Sequence, residues 1–252
     1  MTSSKNAVDY RNYNHIVQKE LFTKLITELD IKPGFRCLDI GCGPGNFTKL
    51  LVDCVGQDGY VLGIDPDEDR INLAKITYTD FPNLEFLCVK AQDMPTDLQK
   101  FDVVFSSCVM HFLTNVEKWR TFENVFKTLT SQGTFSFGCP LEIPAAIKEV
   151  YRHVEDQNIV PFFVNSEQPT VKIYEQKLTE VGFKVMKINV VENTFVFQTL
   201  DQYLVWLSAS VKSEIDIIEL CRKHENHLNL ERNKNGEYLL KNHYVFVYAQ
   251  KA

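Results

Sequence analysis

At 252 residues, 44% hydrophobic and 24% charged, the chain has ordinary soluble composition and material for one sizeable core. A formal net charge of −6 without a basic run argues against a nucleic-acid partner, since phosphate binding needs concentrated positive charge. No apolar stretch of about 18 residues is present for a membrane span, and the opening Met1-Thr2-Ser3-Ser4-Lys5-Asn6 lacks the apolar centre of a signal peptide, so a cytoplasmic protein is expected.

In chain order, an N-terminal helix is expected from Ile16 to Leu29, before Lys32-Pro33-Gly34. Arg36 to Ile40 reads as a first strand, with a helix following from Asn46. Tyr60 to Asp65 is a second strand, and Pro66 starts a helix from Asp67 to Tyr78. Leu84 to Val89 and Phe101 to Ser106 are the third and fourth strands. Asn115 to Leu129 is a helix, and Gly133 to Cys139 a fifth strand. This alternation is the pattern of a parallel sheet with helices on both faces.

After Pro140 the pattern changes. Helices are expected at Ala145 to Asp156, Thr170 to Val181, Leu200 to Ser210 and roughly Glu214 to His227. A strand spans Phe183 to Val190, an apolar segment Thr194 to Phe197, and a closing strand His243 to Ala249. The reading is one domain over 1–252. A helix over the site occupies 1–30, a cofactor-binding core 31–140, and a substrate cap with C-terminal strands 141–252.

The run Leu38-Asp39-Ile40-Gly41-Cys42-Gly43-Pro44-Gly45-Asn46 carries the strongest signal. A strand leads into a three-glycine turn and then a helix, with an acid, Asp65, about 20 positions on at the tip of the next strand. Glycine reaches positive φ cheaply and lets a ligand approach the backbone, and this unit is a nucleoside-cofactor site. The seven cysteines contain no Cys-x-x-Cys pair, so they read as reduced, buried thiols and no metal is expected.

The Gly-x-Gly-x-Gly spacing resembles the loop of class I S-adenosylmethionine-dependent methyltransferases more than that of NAD enzymes. The resemblance implies S-adenosylmethionine as cofactor. Gly41, Gly43 and Gly45, with Cys42 between them, would meet its methionine part. Asp39 would reach its ammonium, and Asp65, beside Pro66, its ribose hydroxyls. Asp93 and Met94, after the third strand, would hold adenine. Ser106, at the fourth strand's end, would shape the reactive end. His111 follows that tip, open between a binding role and a packing one.

Beyond the loop, the chain resembles the juvenile hormone acid methyltransferase family nearly end to end. Asn14-His15-Ile16-Val17-Gln18 is similar to that family's Asn-x-Val-Gln segment. Cys108-Val109-Met110-His111-Phe112 matches its Cys-Leu-His-Trp run, with one extra residue and phenylalanine for tryptophan. Phe195-Val196-Phe197 and Val245-Phe246-Val247-Tyr248-Ala249 also correspond in kind. The resemblance implies methyl esterification of a hydrophobic acid of the farnesoic or juvenile hormone acid type, with Gln18 and His111 holding its carboxylate. Aromatic residues Phe112, Trp119, Phe162, Phe163, Tyr203 and Trp206 are expected to line an apolar tunnel. Another small-molecule acceptor such as a phenol, with His111 as base, and an NAD-dependent oxidoreductase are the alternatives. The partner is expected to be a small molecule, and the protein a monomer or a homodimer.

Overall fold

The computed structural model describes residues 15–97, 100–154, 160, 166–210, 216–224 and 230–252, with no side-chain detail at 15–18 and 209–210. Seven strands form one sheet in the order β3-β2-β1-β4-β5-β7-β6. They are β1 Arg36–Ile40, β2 Tyr60–Asp65, β3 Leu84–Cys88, β4 Phe101–Ser107, β5 Leu129–Pro140, β6 Phe183–Phe197 and β7 Tyr238–Lys251. β1 to β5 are parallel, and β7 runs antiparallel to both β5 and β6. The described residues form eight α-helices: α1 His15–Thr27, α2 Thr48–Val55, α3 Glu68–Thr77, α4 Asn115–Thr128, α5 Ala145–Arg152, α6 Val171–Val181, α7 Leu200–Ser210 and α8 Ile217–Lys223. None of them is long and apolar enough to cross a membrane.

Successive strand residues feed opposite cores, because side chains alternate across a sheet. Cys37, Val61, Val103 and Phe105 join one cluster with α1, α2, α3, α5, α7 and α8. Leu38, Leu62, Val104 and Phe135 join the other with α4 and α6. Both faces are covered, which accounts for the near-continuous apolar runs of the parallel strands. The chain order jumps from β3 back across β1 to β4, so the crevice between β1 and β4 is a topological switch point, where open α/β sheets bind ligands.

The largest difference from the sequence expectation lies in the C-terminal hairpin. β6 is one strand of 15 residues, where a strand and a separate apolar segment were expected. The polar stretch Glu192-Asn193-Thr194 pairs with His243, Asn242 and Lys241 of β7, and the hairpin continues to Phe197 opposite Tyr238. β6 is an edge strand, so Glu192 and Thr194 reach solvent without interrupting the ladder, while the side-chain oxygen of the buried Asn193 accepts from the Lys24 ammonium at 2.5 Å. Helices α7 and α8 occupy the excursion between Phe197 and Tyr238.

Candidate active site

The glycine loop is stitched to its neighbour strand. Gly41 and Cys42 both donate backbone N–H groups to the carbonyl of Ile64, at 2.7 and 3.0 Å. Gly41, Gly43 and Gly45 have φ of +76°, +55° and +85°, a region that side chains with a Cβ rarely occupy. At Gly41 a Cβ would stand 2.1 Å from Val109 Cγ2, and at Gly45 it would stand 2.8 Å from the Phe86 ring. The first glycine thus lets the β1 and β4 tips meet, while the third lets the loop settle onto β3.

Two carboxylates anchor this loop. Asp65 accepts the N–H of Gly43 at 3.0 Å and that of Asp67 at 2.9 Å. Burial raises its pKa, and the charge of Arg70 and the two N–H donors oppose the rise. Asp39, 3% exposed, accepts the Thr48 hydroxyl at 2.7 Å, which joins β1 to the first turn of α2. Burial pushes Asp39 up to about 7, against the pull of that hydrogen bond and with a further push from Asp65. A buried carboxylate so placed gains most from a cationic ligand.

A cavity of about 430 Å³ opens at these strand tips. Asp65, Pro66 and Arg70 form one wall, and Ile64, Val89, Ala91, Val109 and Leu113 make an apolar slot. The size suits a nucleoside. An acid beside an apolar slot suits a ribose next to a flat base, so the residues present fit an adenosine cofactor.

The loop after β4 closes the other side. Cys108 holds φ of +58°, unusual outside glycine, and a 3-10 turn over Met110–Phe112 follows. His111 is 8% exposed. Burial, with the Lys118 ammonium in support, pushes its pKa down to about 3, so the imidazole is neutral at physiological pH. Lys118 donates to the Leu113 carbonyl at 2.7 Å, and the Gln168 amide to the His111 carbonyl at 3.4 Å, so the turn is held from two sides.

A family model described as a methyltransferase domain matches residues 31–199. The chain belongs to the class I S-adenosylmethionine-dependent methyltransferases. Its cofactor is S-adenosylmethionine, and the oxidoreductase alternative falls away. Over 138 residues this methyltransferase is 30% identical to the malonyl-acyl-carrier-protein O-methyltransferase of Acetivibrio thermocellus, covering 54% of this chain and 47% of that protein. It spans about half the length of the curated relatives it matches. In fold it matches the YcgJ protein of Bacillus subtilis at TM-score 0.64 and 15% identity, covering 92% of this chain and 98% of that one. A SAM-dependent methyltransferase from Aquifex aeolicus matches at TM-score 0.53 and 17% identity, over 92% and 89% of the two chains.

Of the residues expected at the methyltransferase site, Gly41, Asp65, Pro66 and Phe112 line the cavity. Others stand behind its wall. Cys42 packs over Gly63, and Met94 is buried in the second core. The Ser106 hydroxyl donates to the Ile40 carbonyl at 3.0 Å, tying β4 to β1.

Asp93, expected on adenine, is exposed and faces Arg120 at 3.6 Å, whereas its neighbour Gln92 lines the cavity. The 3-10 turn Ala91–Asp93 decides this, because it carries consecutive side chains to different sides. The Gln92 side-chain amide donates to the Glu117 carboxylate at 2.9 Å, and the Gln92 backbone carbonyl accepts from the Asn124 amide at 2.9 Å.

Trp119 needs a correction. It packs on Phe122 and Tyr174 in the second core, on the α4–α6 side of the sheet, not in a tunnel with Phe112. Its place on α4 points it toward α6. Tyr203 and Trp206 pack with Phe197 in the first core, the cluster against which Phe112 also rests. The backbone of Gln18 lies in α1, but its side chain, Phe162 and Phe163 lie outside the described residues.

The sequence reading passed over Val109, Gln92 and Arg70. Their signals were weak: an extra residue before His111, an amide beside the chosen acid, and an arginine one turn after a helix cap.

Proposed function

We propose that this methyltransferase esterifies the carboxylate of a hydrophobic acid, of the farnesoic or juvenile hormone acid kind, to its methyl ester. The observation that carries the reading is the neutral, buried His111 beside the cavity wall, with its pKa pushed down to about 3. A base that weak cannot take a proton from a phenol or an ammonium at neutral pH. A carboxylic acid, with a pKa of about 4–5, is already ionised there and needs no base. The resemblance to the juvenile hormone acid methyltransferase family supports the same acceptor class.

When bound, S-adenosylmethionine supplies an electrophilic sulfonium methyl group. The chain's own residues then have three tasks. Asp65 accepts hydrogen bonds from the ribose hydroxyls, Asp39 balances the ammonium through or beside the glycine loop, and the slot of Val89, Ala91 and Leu113 takes the adenine. Gln18 on α1 and His111 donate hydrogen bonds to the acceptor carboxylate and aim one oxygen along the S–CH₃ axis. Phe112, with Tyr203 and Trp206 of α7 and the segment bearing Phe162 and Phe163, keeps water from the acceptor's apolar body. Alignment and exclusion of water can supply roughly 7–11 kcal/mol of barrier lowering.

A panel of acids, phenols and amines that includes farnesoic acid, incubated with S-adenosylmethionine and read by mass spectrometry, tests the reading. Methyl esters of apolar acids are expected. Methylated phenols or amines with no ester formed would overturn it.

A further inference from the structure

Tyr244 stands on β7 opposite Pro140, at the end of the sheet where Cys108 follows β4. Its ring packs edge-on against Phe195 with centroids 5.9 Å apart, and 4% of the residue is exposed. Among the described residues its hydroxyl has no hydrogen-bond partner. The oxygen is not among the side-chain polar atoms sealed from solvent without a partner, so it borders accessible space where a ligand could meet it, and the ring packing alone does not account for it.

Tyr244 belongs to the first core together with Leu21 and Leu25 of α1, and Cys108 and Phe112 pack against that same cluster. Burial, and after it Cys108, Cys139 and Glu20, hold the Tyr244 hydroxyl protonated well above the usual tyrosine range. Cys108 lines the cofactor cavity, three residues before His111. Glu20 lies on α1, two residues beyond Gln18. Tyr244 therefore sits between the helix and the loop that carry the two groups assigned to the acceptor, and offers a neutral O–H.

We infer that the Tyr244 hydroxyl is a third hydrogen-bond donor to the acceptor carboxylate, on the oxygen that is not methylated; this rests on the carboxylate reading above. A neutral donor suits that task. It holds the spectator oxygen without placing a full positive charge beside the nucleophile.

Tyr244→Phe removes the oxygen and keeps the ring. Calorimetry on the protein saturated with S-adenosylhomocysteine, with farnesoate and farnesol as probes, reads the effect. Farnesoate is expected to bind about 10- to 100-fold more weakly to the variant. Affinities for farnesol and S-adenosylhomocysteine stay unchanged, and the variant melts no lower than the parent protein. Equal farnesoate affinity in the two proteins, or a lower melting temperature as the only change, overturns the role of Tyr244 and leaves the carboxylate reading standing. Wild-type protein that binds farnesol as tightly as farnesoate overturns the carboxylate reading, and the inference with it.

Discussion

The backbone N–H of Gly43 donates to Oδ2 of Asp65 across 3.0 Å, so the tip of the second strand already grips the glycine loop of the first. The same carboxylate therefore organises the loop and faces the cavity.

Asp65→Ala should raise the Kd for S-adenosylhomocysteine by about 100-fold, the loss of two hydrogen bonds to a charged acceptor. It should also lower the melting temperature, because the N–H groups of Gly43 and Asp67 lose their partner. Calorimetry that finds an unchanged Kd would remove Asp65 from the cofactor site.

Two glycines of similar φ separate strain from contact. At Gly56, φ of +67° and ψ of −168°, an added Cβ meets nothing within 4 Å, so Gly56→Ala should cost about 1–3 kcal/mol of stability through backbone strain alone and leave cofactor affinity intact. At Gly41 the added Cβ falls 2.1 Å from Val109, so Gly41→Ala should displace the β4 loop and abolish measurable binding of S-adenosylhomocysteine. Equal affinities in the two variants would contradict this division.

Asp39 makes stability depend on pH. Its folded pKa is raised from 3.8 to about 7, so the folded state binds more protons than the unfolded state between those values. The contribution is complete below the unfolded pKa and is lost as pH rises through about 7. The ligand-free protein should therefore melt several degrees lower at about pH 8 than at about pH 5. Asp39→Asn should flatten that difference, which thermal scans of both proteins check. Affinity for the ammonium-bearing cofactor should move the other way and rise over the same window.

His111→Ala should lower kcat/KM for the acid by about 10- to 100-fold while the Kd of S-adenosylhomocysteine holds. At saturating cofactor the wild-type kcat should be flat from about pH 6 to about pH 9, since neither His111 nor a carboxylate acceptor titrates there. A rising limb near neutrality would show a base at work and favour a protonated acceptor.

Trp119→Ala should cost roughly 2–3 kcal/mol through lost packing on Phe122 and Tyr174, with the acceptor KM unchanged. Phe112→Ala should raise that KM, because Phe112 lines the cavity. Steady-state kinetics on the pair separates the two sides of the sheet.

The amino-acid order by itself determined the alternating strands and helices, the glycine loop and the acid at the second strand tip. These features are local: apolar runs, turn residues and a fixed spacing between Gly41 and Asp65. It did not decide which of Gln92 and Asp93 faces the cavity, because a single 3-10 turn sets that, and its rotation depends on Asn124 and Glu117 far along the chain. Nor did it place Trp119, whose direction follows from α4 lying under α6, or the continuation of β6 through Glu192-Asn193-Thr194 to Phe197, which needs β7 from residues 238–251. Tyr244 reaches the end of β5, opposite Pro140, only because β7 enters the sheet antiparallel beside it. Contacts between distant segments have no local signature, since each depends on which faces the closed core brings together.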